Sequence, residues 1–109
     1  MPLEKTIKAN ILTYLNSLPK CYARGKHSNP FSKGWADVLG SFCGRTLVFE
    51  VKQPGKKATV LQEMELLKWH RAGAITGVVT SVADVQAILA AVGVPILPAS
   101  GGDAPTGRG

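Results

Sequence analysis

Ile7, Ile11, Tyr14, Leu15 and Leu18 recur at steps of three and four, which predicts a helix over residues 2–18 with one core-facing stripe. Pro2 suits a first helical turn and Pro19 stops the helix. Residues 20–24 read as a short strand, and 25–34, rich in Gly, Ser, Asn, Pro and Lys, as a loop. Two strands, 35–41 and 46–53, are joined around Phe42-Cys43-Gly44-Arg45, and Pro54-Gly55-Lys56-Lys57 forms a turn. Val60, Met64, Leu67 and Trp69 give a helix over 59–71 with Gly73 as its stop. Residues 74–80 form a strand of buried type, and Ser81 caps a last helix with the stripe Val82, Val85, Leu89 and Val92. The order α-β-β-β-α-β-α predicts an α/β fold, a central mixed sheet flanked by helices, because the last strand returns through a helix. Residues 1–98 are expected to form this domain. The Gly-, Pro-, Ala- and Ser-rich stretch 99–109 has no core residues to contribute and reads as a disordered tail.

A chain of 109 residues holds one modest core, and with 45% hydrophobic and 18% charged residues its composition is that of an ordinary globular domain. No apolar run approaches the roughly 20 residues that span a bilayer, and the first residues lack the order of a secretory signal. Cys21 and Cys43 belong to no CxxC pair, which argues against a disulfide framework or a Cys-rich zinc site and suits a reducing cytoplasm. Lys and Arg outnumber Asp and Glu by 13 to 7, for a net charge of +6 that draws polyanions, nucleic acid first among them.

The chemistry sits on the second and third strands. If their turn centres on Cys43-Gly44, Asp37 faces Glu50, and Lys52 joins them on the same side with Trp35 nearby. The other side then carries Val38, Phe42, Leu47, Phe49 and Val51, a consistent core surface. Two opposed carboxylates repel unless something compensates. A hard divalent cation does so through oxygen ligands, and could activate a water for attack on a phosphodiester. Lys52 could position that water or offset charge in the transition state. The spacing equally allows an ordinary exposed hairpin face with a weak surface ion pair.

Other residues carry two readings each. Glu4 lies on the stripe of Ile7 and Ile11, so it either complements the helix dipole or joins the site. Lys26, His27 and Lys33, with Phe31 and Trp35, could hold a phosphate backbone and stack on a base, or form a solvated loop. His27 is a poor candidate metal ligand, because His70 lies in another element. Thr59-Val60-Leu61-Gln62 is a capping box, which by itself explains Gln62.

Gly34-Trp35-Ala36-Asp37, then Val48-Phe49-Glu50-Val51-Lys52, then Gln62 at the start of a helix, resembles the PD-(D/E)XK nuclease superfamily. Within it, the chain is most similar to the VRR-NUC branch, including the small stand-alone members of bacteriophages. The likeness covers about residues 4–90. It implies a restriction-endonuclease-like fold in which Asp37, Glu50 and the main-chain carbonyl of Val51 hold Mg²⁺ or Mn²⁺. It further implies that Lys52 serves the attacking water, that Gln62 supports the site, and that Glu4 reaches toward the metal. The substrate implied is DNA of flap, branched or junction structure, with Lys56 and Lys57 adding to the basic contacts, and the protein implied is a homodimer. Ala36 stands where the motif usually has Pro, and the Val-Arg-Arg tripeptide of the branch is absent. The alternative, a nucleic-acid-binding module that keeps the fold without cutting, gives the paired carboxylates no purpose.

Overall fold

Ile7, Ile11 and Leu15 are buried, so the stripe of the first helix does face a core. The structure is a computed structural model and describes residues 2–26 and 34–92. Its elements are α1 (Glu4–Asn16), β1 (Cys21–Gly25), β2 (Val38–Phe42), β3 (Arg45–Val51), α2 (Val60–Arg71), β4 (Ile75–Val79) and α3 (Val82–Ala91). The predicted order therefore holds throughout. No helix among the described residues is long and apolar enough to cross a membrane. The expected tail, His27 and Lys33 lie outside the described residues.

The four strands lie in the order β1-β2-β3-β4, the first three antiparallel and β4 parallel to β3. The β2–β3 hairpin turns at Cys43 and Gly44, both at positive φ (51° and 84°), the backbone that matches the twist of a two-residue turn. Its register pairs Val38 with Phe49 and Phe42 with Arg45, as the sequence predicted. The β3–α2–β4 unit is the crossover that a parallel pair requires.

Both faces of the sheet are partly covered. On one, Val38, Phe42, Leu47, Phe49 and Val51 pack with Ile7, Ile11 and Leu15 of α1 and Val85 and Leu89 of α3. Gly77, opposite Phe49, makes room for α3, since a Cβ there would lie 2.6 Å from Ile88 Cδ1. On the other face, Val48 packs with Ala36, Leu66 and Ala74, with Leu39 and Trp69 beside them. Edge strand β1 is tied to α1 by the Asn16 amide, which donates to the Ala23 carbonyl at 3.0 Å and accepts from its N–H at 2.9 Å. That contact satisfies an edge peptide that no strand can reach.

Two sequence expectations need correction. Helix α2 buries Leu66, with Trp69 half-buried, while Val60, Met64 and Leu67 are 70%, 52% and 45% exposed. Its inner face runs through Gln62, Leu66 and Trp69, a helical spacing that a polar first member hid from a hydrophobic count. The second correction is at β2, which begins at Val38 and not at Trp35. Asp37 leaves the ladder because its side chain, rather than its backbone, meets β3.

Candidate active site

Strand β3 runs past the start of β2, so Glu50 and Val51 pair with Val78 and Val79 of β4 after the antiparallel ladder has stopped. Asp37 occupies the gap that results. One carboxylate oxygen accepts from the Val51 N–H at 2.8 Å, doing for β3 what the next peptide of β2 would otherwise do. In an extended chain the N–H and C=O of one residue point to the same edge. The Val51 carbonyl is therefore directed to the side on which Asp37 lies.

Glu50 is the one buried charged side chain among the described residues, at 4% exposure. It shares the α2 face of the sheet with Val48, and Gln62 on the first turn of α2 donates its amide to Glu50 Oε2 at 2.8 Å. The Asp37 carboxyl meets the Glu50 carboxyl at hydrogen-bonding distance. Burial first, then that hydrogen bond and the neighbouring negative charge, push the Glu50 carboxyl up to about 8. Lys26 and Lys52 pull in the opposite direction without reversing it. A cation bound beside Glu50 would offset both causes of that rise, its burial and the neighbouring negative charge.

The sequence predicted Asp37, Glu50 and Lys52 as a same-side trio, and the structure brings them together. Lys52 is half-buried and anchored to β4 by its N–H, which donates to the Val79 carbonyl at 3.0 Å. Gln62 does both things between which the sequence reading left a choice. Its carbonyl end accepts from Thr59 N–H at 2.9 Å in the capping box, which leaves its NH₂ end to hold Glu50. One amide side chain has an acceptor for the cap and donors for the carboxylate, so the two roles do not compete.

Lys26 is placed more deeply than its reading as a DNA contact suggested. Its ammonium donates to the Trp35 carbonyl at 3.2 Å and lies 3.9 Å from Asp37 Oδ1. The signal for this was the β1–β2 register, since Gly25 pairs with Val38 and the next step sets Lys26 against Asp37. Glu4 is exposed on the first turn of α1, and the described residues contain no group of three His, Cys, Asp or Glu side chains. The first residues do approach this end of the sheet, where Gln53 donates to the Pro2 carbonyl at 3.0 Å. Lys56 and Lys57 are exposed in the turn after β3.

The double duty of Gln62 has a measurable consequence. Thr59→Ala removes only the cap and is expected to cost about 1 kcal/mol in urea unfolding. Gln62→Ala removes its half of the capping box and the bond to buried Glu50, and is expected to cost roughly 1 kcal/mol more. Equal costs for the two variants would mean that the amide bond to Glu50 contributes nothing.

A solved structure titled "VRR_NUC domain" superposes on this chain with a TM-score of 0.65 at 24% sequence identity, covering 80% of this chain and 94% of that one. No family model matches the sequence, and no curated protein does either. The chain has the VRR_NUC domain fold, and the likeness seen around Asp37, Glu50 and Gln62 extends to the whole architecture.

Proposed function

On the VRR_NUC fold, with the buried carboxyl of Glu50 set against that of Asp37 at the open end of its hairpin, we propose that this protein is a divalent-metal-dependent deoxyribonuclease selective for flap, branched or junction DNA. The observation that carries the reading is Glu50, a carboxyl buried against a second carboxyl and held there by a dedicated amide. A structural carboxylate would be paired with a cation or left in water, since burial without such a partner costs stability. A buried pair is retained where a bound cation offsets that cost.

The donor set suits Mg²⁺ or Mn²⁺. Both take oxygen ligands and are commonly bound by one or two carboxylates, with water and substrate phosphate completing the shell. Asp37, Glu50 and the Val51 carbonyl would hold the ion, which supplies a polarised phosphoryl oxygen and a water of lowered pKa. The protein's own groups do the rest. Gln62 fixes the Glu50 carboxylate, and the Val51 N–H fixes that of Asp37. Lys52 stands beside the pair, where its ammonium orients the attacking water and balances the charge that develops on phosphorus. Lys26 contacts the phosphate next to the reacting one, and Lys56 and Lys57 follow the strand farther along.

Helix α2 supports the proposal of a homodimer. Val60, Leu61, Met64 and Leu67 are all exposed on it, a larger apolar face than a solitary helix ordinarily shows to water. A second copy covering this face would give two sites for a two-armed DNA.

The test is a panel of labelled duplex, flap, bubble and four-way junction DNAs incubated with Mg²⁺, Mn²⁺ or EDTA. Cutting of the branched forms that stops in EDTA and returns with added metal is the expected result. Binding without cutting on every substrate, with either metal, would remove the enzymatic reading and leave a nucleic-acid-binding module.

A further inference from the structure

Helix α2 packs over β3 and β4, and the same face of the sheet continues across β2 to the edge strand β1. Cross-strand pairs there are Tyr22 with Ser41 and Arg24 with Leu39, all on the face opposite the main core. Tyr22 is 63% exposed and Trp35 57%, although both carry large apolar surfaces. Between them lies a hollow of about 380 Å³ floored by Leu39 and Gly40 and bordered by Arg24 and Lys26.

Trp35 also borders a second hollow of about 250 Å³, lined by Lys26, Gln62, Met64 and Lys68. The indole is therefore a ridge, with the β1–β2 hollow on one side and a hollow against the start of α2 on the other. Lys26 borders both, with its ammonium 3.9 Å from Asp37.

We propose that the β1–β2 hollow is a binding site for one unpaired nucleotide, whose base stacks on Trp35 and Tyr22 while its phosphate is held by Lys26 beside Asp37. This rests on the nuclease reading and names its substrate class, a strand with an unpaired base next to the cut. Three observations converge. Exposed aromatic faces suit bases of any identity, since every base has a π-face. The cations at the rim complement a phosphate and disfavour a basic or purely apolar occupant. The hollow is also large enough for a single nucleoside and too narrow for a duplex, whose bases are stacked on each other and offer no free face.

The experiment reads binding rather than cutting, so it stands apart from the nuclease test. Trp35 and Trp69 are the only tryptophans, and Trp69→Phe leaves Trp35 as sole reporter. In EDTA, a short oligothymidylate and a hairpin carrying 2-aminopurine at an unpaired position are titrated into this protein. Quenching of both Trp35 and 2-aminopurine is expected, and a fully paired duplex of equal length should quench neither. Trp35→Ala should weaken binding of the single strand by about tenfold or more, with less than twofold change for duplex, and Trp35→Phe should restore most of the loss. Tyr22→Ala should act in the same sense with a smaller loss. Equal losses for single strand and duplex would overturn the stacking site. So would a Trp35 emission that shifts to the blue with rising protein concentration and no DNA, because a second copy would then be what fills the hollow. If the quenching appears and no DNA is cut with any metal, the nucleotide site stands and the nuclease reading fails alone.

Discussion

Glu50→Gln is expected to make the metal-free protein more stable at pH 8 while lowering its DNA cutting on the order of 10³-fold. The substitution suits the site. An amide oxygen can still accept from Gln62, and the amide N–H can donate to Asp37 in place of the Glu50 carboxyl O–H. What is lost is a negative charge for the cation. What is gained follows from linkage. The folded Glu50 carboxyl titrates near 8 and the unfolded one near 4.5, so the folded state binds more protons between those values. Stability is then greatest below the unfolded value and declines as pH rises through the window, by up to about 1.4 kcal/mol per pH unit. Above about 8 the loss is complete and the curve levels. In Glu50→Gln this slope disappears, so the variant overtakes wild type as the buffer becomes alkaline. Urea unfolding between pH 5.5 and 9 in EDTA measures both curves. A wild-type curve that is flat across that range would show that Glu50 is ionised in the folded protein. Adding Mn²⁺ should restore wild-type stability at high pH by mass action and leave the variant unchanged.

The same site shows where sequence reading succeeds and where it stops. Alternation along residues 46–51, with glycine at the turn, sufficed to set the hairpin register, because a slip of one residue would have turned Phe49 and Leu47 away from α1 and α3 and left Glu50 in the main core. That register in turn brought Asp37 to Glu50. Helix α2 was harder. Its apolar residues at 60, 64 and 67 obey a helical period yet face outward, while Gln62 and Leu66 face in. Periodicity identifies a helix and one apolar side, but it cannot choose between a core and an interface, since both are apolar. Lys26 was legible only as charge. Its contact with Asp37 depends on how β1 pairs with β2 across the intervening loop, and no local pattern encodes that pairing. Glu4 left two readings open in the sequence, a helix-dipole partner or a site residue, and in the structure it is exposed in the first turn of α1.

Two lysines now stand near the carboxylates, and removing each is expected to leave a different signature. Lys52 is fixed to β4 through its backbone, one residue past the end of the strand that carries Glu50, and its charge acts on Glu50 from there. Lys26 approaches from the β1 side and is already engaged with Asp37 and the Trp35 carbonyl. If Lys52 acts on the attacking water, Lys52→Ala should lower kcat by roughly 10²–10⁴-fold, with DNA affinity in Ca²⁺ nearly unchanged. On the proposed mechanism, Lys26 would compete with the metal for Asp37, its ion-pair partner, while also attracting phosphate. Lys26→Ala should therefore bind Mn²⁺ more tightly, bind DNA more weakly, and lose about one unit of salt slope, with a smaller fall in kcat. Manganese titration by calorimetry, DNA binding at several salt concentrations and single-turnover cutting together separate the two. The assignment of the water to Lys52 fails if the large kcat loss follows Lys26 instead. That outcome would place the attacking water on the β1 side of the pair, between the carboxylates and Trp35, and would turn the direction of strand entry around.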